Sequence, residues 1–311
     1  MDKIIEIQEL LTTRADLKTR LASFAYNGTP TIKTNSGKQY IYLRKRVAGR
    51  VTSTYVGAYS LELFNSVSLI CRQHREVSKS LRHVEKRLIE LGYFESEANP
   101  QVLLNIEFGR VNLKYNIYNQ AVLEGVGTTF IQTETILENG KVKGVTPTDI
   151  QKIINLKHAW ELILDIDVLR AASNYYLASY IASIVNEGFF ANGGKLREVP
   201  VTIGGSNYIL PLPLGNVVKE EMQHLCIQDK EPVEVAIDLL LYVMKKQLFN
   251  DGNKRTGVIL ANHYLISKGA GLLVIPEQLV PTFKLELINY HENKSNSIRA
   301  FLKTQCWKTF K

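Results

Sequence analysis

The sequence predicts a mainly α-helical chain in which a small basic α+β module precedes a larger helical bundle with one β-hairpin flap. Three observations predict this. Charge sits at one end: residues 1–95 hold 16 Lys and Arg against 9 Asp and Glu, whereas residues 96–311 hold 22 against 21. Alternating, β-forming stretches occur at 39–56 and again at 199–210. Most of the remaining apolar residues fall three or four apart, the spacing of amphipathic helices.

The elements follow in order. Ile4, Ile7, Leu10, Leu11, Leu17 and Leu21 predict a helix over residues 1–23, broken by Tyr26-Asn27-Gly28-Thr29-Pro30. Gln39 to Val47 alternates with Tyr40, Tyr42 and Arg44 on one face, Ala48-Gly49 turns, and Arg50 to Val56 returns. An isolated hairpin is marginal, so it needs a support. The long helix after Gly57 supplies one through Leu61, Phe64, Cys71, Val77, Leu81, Val84, Leu88 and Leu91, and Gly92 ends it. Residues 93–100 read as a linker between a module at 1–95 and a second domain at 96–311. There, Thr146-Pro147-Thr148-Asp149 starts a helix, and residues 165–187 read as one long helix closed by Gly188. Val199 to Leu210 forms a hairpin around Gly204-Gly205-Ser206-Asn207. Helices are predicted at about 215–226, 232–246, 255–268, 277–289 and 296–304.

Composition narrows the function classes. No apolar run of about 18 residues suggests a membrane span. Met1-Asp2-Lys3-Ile4 lacks the order of a secretory signal. Cys71, Cys226 and Cys306 are scattered and odd in number, which disfavours a disulfide framework or a cysteine metal site. A cytoplasmic protein is the expectation.

Chemistry concentrates in Gln247-Leu248-Phe249-Asn250-Asp251-Gly252-Asn253-Lys254-Arg255, between two apolar helices. Gly and Asn tolerate positive φ, so Asp251-Gly252-Asn253 can turn sharply. Backbone N–H groups exposed in such a turn form an anion nest, and the next helix aims its N-terminus at the same place. Arg255 adds a forked cation suited to phosphate. Asp251 offers the single hard oxygen that Mg²⁺ takes when phosphates supply others. Phe249 would plug the core beneath the loop. Basic residues oppose a helix N-terminus unless an anion is present, so Lys254 and Arg255 make more sense as ligands than as solvated charge.

These residues resemble the motif of the Fic (filamentation induced by cAMP) family, His-x-Phe-x-Asp/Glu-Gly-Asn-Gly/Lys-Arg. Phe249, Asp251, Gly252, Asn253, Lys254 and Arg255 match it, and the resemblance extends over residues 101–292. It implies a Fic (Fido) domain over 96–311 that uses ATP and Mg²⁺. Asp251 would hold the metal, and Gly252, Asn253, Lys254 and Arg255 the phosphates. The family usually transfers AMP to a protein hydroxyl, and the death-on-curing branch, which shares the Lys, transfers phosphate. The flap at 199–210 is similar to the hairpin that holds a target segment by strand addition.

Two departures stand out. Gln247 occupies the place of the family's catalytic histidine. An amide can orient a hydroxyl but cannot accept its proton near neutral pH, and losing a general base costs typically 10²–10⁴-fold. A binding-only regulator is therefore the alternative to a transferase. Second, family members often carry an inhibitory helix, Ser/Thr-x-x-x-Glu-Gly/Asn, here sought near 121–140. Residues 134–139 match it at Glu138 and Asn139, with Glu134 at the hydroxyl position. The usual arginine partner of that glutamate falls on Val258, leaving Arg255 as a substitute. In the basic module, Arg44, Lys45, Arg46 and Arg50 beside tyrosines suit a nucleic-acid or protein partner.

Overall fold

The computed structural model describes residues 3–47, 50–93, 99–202 and 209–309. The chain forms two compact units, Met1–Phe94 and Glu95–Lys311.

In the first unit, helix α1 (Lys3–Ser23) is followed by strands β1 (Thr29–Asn35), β2 (Lys38–Val47) and β3 (Arg50–Ala58) and by helix α2 (Leu61–Glu90). The sheet is an antiparallel meander in the order β1-β2-β3, so the expected hairpin has a third strand. Ser36 and Gly37 join β1 to β2 at φ of 48° and 76°, a two-residue turn with both residues left-handed, which suits the twist of a hairpin. Gly28 is obligatory just before β1: its φ is +127° and an added Cβ would lie 2.8 Å from the Arg44 carbonyl oxygen.

The Ser60 hydroxyl caps α2 by accepting from the Leu63 amide at 3.1 Å. One half of α2 packs Val67 and Cys71 under Leu43 of the sheet, with Tyr26, Val56 and Leu63 around them. The other half packs Val84 and Leu88 against Leu11, with Ile7, Leu10, Leu17 and Tyr93. Leu63 and Val67 thus carry the contact expected of Leu61, which is 65 % exposed. The expected turn at 48–49 and most of the linker fall outside the described residues.

The second unit is helical. It begins with α3 (Pro100–Val111), α4 (Leu113–Leu123), α5 (Phe130–Leu137) and α6 (Pro147–Ile163), then α7 (Ile166–Leu169) and α8 (Tyr175–Val185). The long helix expected over 165–187 is therefore two. Asp165 caps α7, and Asn174, in an extended conformation, caps α8 by accepting from the Leu177 amide at 3.1 Å. Polar side chains that bond their own backbone end helices even inside an apolar pattern.

A flap of two short strands follows, β4 (Val201–Thr202) paired with β5 (Ile209–Leu210); the tip at 203–208 lies outside the described residues. Then come α9 (Gly215–Ile227), α10 (Pro232–Lys246), α11 (Asn253–Ser267), β6 (Leu272–Leu273), α12 (Val280–His291), α13 (Ile298–Phe301) and β7 (Trp307–Lys308), which pairs with β6. Helix α11 is the axis of the unit, buried from Arg255 through Ile266. It meets α10 closely at Gly257, where a Cβ would sit 3.1 Å from the Leu240 carbonyl oxygen. No helix among the described residues is long and apolar enough to cross a membrane.

Candidate functional site

Helix α10 stops at Gln247, whose backbone is left-handed with φ 46° and ψ 60°. Such a conformation costs a non-glycine residue of order 1–3 kcal/mol unless its surroundings enforce it. Two sets of bonds enforce it here. Asn253 accepts from the Phe249 amide at 2.9 Å and donates to the Phe249 carbonyl at 2.7 Å and to Gln247 Oε1 at 3.2 Å. From the other side, Arg197 donates through Nε to the Gln247 carbonyl at 2.7 Å, and its amide donates to the Leu248 carbonyl at 2.9 Å. Leu248 and Phe249 fill the core below.

Arg197 also donates to the carbonyls of Val199 at 2.8 Å and Pro211 at 2.5 Å. One guanidinium, 2 % exposed, therefore ties both feet of the flap to the loop. Sequence reading missed this residue. A lone arginine just before an expected strand carries no signal until the flap's two ends are known to meet.

At the turn, Gly252 has φ +73°, and an added Cβ would lie 2.9 Å from Asn186 Oδ1 and 3.0 Å from Val185 Cγ2. Asn186 donates to the Asp251 carbonyl at 3.0 Å and to the Gly193 carbonyl at 3.1 Å, which holds the turn against the end of α8. No side chain caps the first turn of α11, so its N-terminal amides are not engaged by a cap.

The Arg255 guanidinium points inward and is 2 % exposed. It donates to the Val185 carbonyl at 2.6 Å, to Asn186 Oδ1 at 3.4 Å and to Asp251 Oδ2 at 2.8 Å. It thereby braces the turn from below. Lys254 is about one-third exposed and Asp251 about half exposed, so these two stand at the mouth of the turn.

Besides Asp251, the carboxylate that faces Arg255 is Glu124, not Glu138. Glu124 Oε2 lies 3.6 Å from Arg255 Nε, and Oε1 lies 3.8 Å from Lys254 Nζ. Both Glu124 Oε1 and Arg255 Nε are buried without a hydrogen bond, so the pair attracts only across a gap. Burial pushes the Glu124 carboxyl above the ordinary glutamate value; Lys254 and Arg255 pull it back in part, and Asp251 opposes them. Gln120, one turn earlier on α4, sets this placement. It donates to the Arg255 carbonyl at 3.0 Å while its Oε1 accepts from Trp160 Nε1 at 2.8 Å.

Glu138 instead ends α5 and bonds Lys114 Nζ at 2.5 Å, in an exposed pair. Val258 is buried in the core. A sequence signal for Glu124 did exist: Gln120–Gly125 carries Glu124-Gly125 in the same pattern that 134–139 fits at Glu138 and Asn139.

Among the described residues, no histidine is bonded to the loop at Gln247. His263 is fully buried, with Nδ1 2.7 Å from Ser173 Oγ and Nε2 2.8 Å from the Val168 carbonyl oxygen. Burial lowers it from 6.5 to about 4, so it is a neutral packing residue. Gln247 donates through Nε2 to the Met244 carbonyl at 2.6 Å and accepts from Asn253. Both ends of its amide are engaged within the loop.

Among the described residues no group of three His, Cys, Asp or Glu could cage a metal. Asp251 alone suits a divalent ion that arrives on phosphates, because Mg²⁺ usually keeps waters and takes one or two carboxylates beside substrate oxygens. Beside the flap, a cavity of about 790 Å³ is lined by Leu210 to Leu214, Tyr242 and Lys246 among others.

Fold and loop together define a helical domain in which a sharp, left-handed turn leads into α11 beside a β flap. Residues 164–265 match the family model described as Fic/DOC family, and residues 4–65 match one described as a domain of unknown function, DUF6788. No curated protein matches the chain. Among solved structures, Fic-1 (residues 134–508) of C. elegans is similar at 16 % identity and a TM-score of 0.51, covering 77 % of this chain and 72 % of that one. A Fic domain-containing signaling protein of Bacteroides thetaiotaomicron is similar at 17 % and 0.50, covering 67 % and 84 %. A Fic family protein of Desulfovibrio desulfuricans is similar at 15 % and 0.52, covering 68 % and 74 %. At such identities the likeness is one of fold. The family match spans the loop itself, so residues 164–265 are similar to the Fic/DOC family.

Proposed function

We propose that the domain binds ATP with Mg²⁺ on the turn at Asp251–Arg255 and transfers AMP to a protein hydroxyl, slowly because Gln247 replaces the base. The observation that carries this reading is the start of α11: a left-handed Gly252, a first turn with no side-chain cap, and Asp251 and Lys254 at its mouth. Anions are favoured at a helix N-terminus by dipole and free amides together. Asp251 would hold the ion, Lys254 would meet phosphate oxygens, and Gly252 lets the backbone approach. Arg255 would act by fixing Asp251 and the turn. Bound Mg²⁺ would supply charge neutralisation at the phosphates.

Phosphoryl chemistry leans on positioning and charge more than on proton abstraction, so Gln247 lowers the rate without abolishing the reaction. Targets would dock along the flap at 199–210, where Val199 and Ile209 are exposed. In this reading Glu124 is the inhibitory carboxylate. Its carboxyl, 3.8 Å from Lys254 Nζ, competes with a phosphate for that cation.

The test uses ATP labelled separately at the α and γ phosphorus, in host lysate, with wild type, Gln247→His and Glu124→Gly. The α label is expected on a protein, weakly with wild type and about 10²–10⁴-fold more with Gln247→His; Glu124→Gly is expected to raise it further. Transfer of the γ label would replace AMP with phosphate in the proposal. Measurable ATP binding with neither label transferred would leave a binding-only regulator, a reading favoured by the complete internal bonding of the Gln247 amide. A folded protein that ignores Mg-ATP in calorimetry ends both readings.

A further inference from the structure

We propose that the outer face of the β1-β2-β3 sheet binds single-stranded nucleic acid, with Tyr42 and Tyr55 stacking on bases and Lys33, Arg44 and Arg46 contacting phosphates. The proposal stands apart from the nucleotide loop and depends on nothing in the second unit.

The two faces of the sheet differ completely. Ile41 and Leu43 turn inward, at 0 % and 7 % exposure, and Leu43 packs on Val67 and Cys71 of α2. Successive strand residues alternate faces, so Tyr40, Tyr42, Arg44 and Arg46 share the other side. Register adds the neighbours: Lys33 lies opposite Tyr40 on β1, and Tyr55 lies opposite Tyr42 on β3. An irregularity in the β2–β3 pairing between Ile41 and Tyr42 sets this alignment.

The rings form one continuous surface. Tyr55 is centred 5.6 Å from Tyr42 and 6.1 Å from Tyr40, and it is 55 % exposed. Lys33 Nζ sits 4.6 Å from the Tyr42 ring centroid. A cross-strand ring pair adds only about 0.2–1 kcal/mol to a sheet, whereas every nucleobase offers a face to stack on an accessible ring. Aromatic residues on an open sheet commonly stack two or three unpaired bases.

The charge pattern points to a polyanion. No Asp or Glu occurs between Asp16 and Glu62, a stretch with eight Lys and Arg. Surface cations of ordinary domains are interspersed with carboxylates; these are not. An acidic protein would answer the cations but would leave the tyrosine ladder without a role. A duplex hides its base faces and would likewise leave the rings idle.

The test measures anisotropy of labelled oligonucleotides of about 20 nucleotides with the full chain: single-stranded DNA, single-stranded RNA and a duplex, at about 50 and about 200 mM salt. Single strands are expected to bind. Affinity should fall roughly twentyfold across that salt range if three phosphates are neutralised. Tyr42→Ala and Tyr55→Ala should each weaken binding about tenfold, whereas Tyr55→Phe keeps the ring and the affinity. The pair Arg44→Gln and Arg46→Gln should flatten the salt slope by about 1.4. Circular dichroism matching wild type would show each variant folded. The proposal is overturned by no binding at low salt, by wild-type affinity in both folded Tyr→Ala variants, by tighter binding to duplex, or by polyglutamate competing with the same tyrosine dependence.

Discussion

His263 illustrates how a residue type that suggests chemistry can be wholly occupied by structure. It lies on the buried axis of the second unit, bonded at both nitrogens, and its environment favours the neutral ring down to about pH 4. In the unfolded chain the same ring titrates near 6.5. The unfolded state therefore binds the extra proton between those values, and stability present above pH 6.5 is lost as pH falls towards 4. Urea unfolding at pH 7 and pH 4.5 should show wild type losing about 2 kcal/mol more than His263→Gln over that interval, by the linkage relation. Equal losses would mean that the imidazole is not buried neutral. At this scale the loop was legible in sequence, since Phe249, Gly252, Asn253 and Arg255 are contiguous and their types constrain one turn. Arg197 was not, and Glu124 had only the weak signal of Glu124-Gly125 at the end of Gln120–Gly125. Each reaches the loop across more than 45 residues of chain, through contacts that only the packing of α4 and of the flap creates.

At the scale of elements, the turn before α11 depends on a glycine for two separable reasons. Gly252 is left-handed, and a Cβ there would also meet Asn186 and Val185. Gly144 offers a control, being left-handed at φ +78° with nothing within 4 Å of an added Cβ. Gly144→Ala should cost about 1–2 kcal/mol from backbone strain alone. Gly252→Ala should cost more, roughly 2–3 kcal/mol, and should also weaken Mg-ATP binding, which Gly144→Ala leaves unchanged. Equal thermal shifts in the two variants would show that the Asn186 contact gives way freely. Strong periodic helices such as α2 and α10 were readable because burial of one face sets their pattern. The break between α7 and α8 was not, because Asn174 acts by capping rather than by interrupting the apolar spacing. Strand β1 escaped notice because Gly28 and Pro30 read as a break, and its alternation of Thr31, Ile32 and Lys33 is weak.

At the scale of the whole molecule, two units with separate cores should respond separately to their ligands. Each has its own buried clusters, those of the first being Leu11, Val84 and Leu88 together with Leu43, Val67 and Cys71. Differential scanning calorimetry of the full chain is therefore expected to resolve two transitions. A ligand that binds only the folded form stabilises its own unit by about 2.7 kcal/mol at a hundredfold excess over Kd. For a unit of about 200 residues that raises Tm by roughly 5–10 °C. Mg-ATP should move the transition of the larger unit alone, and a single-stranded oligonucleotide that of the smaller alone. If either ligand moved both transitions equally, the units would be thermodynamically coupled, and nucleotide occupancy would then report on nucleic-acid binding by reciprocal linkage.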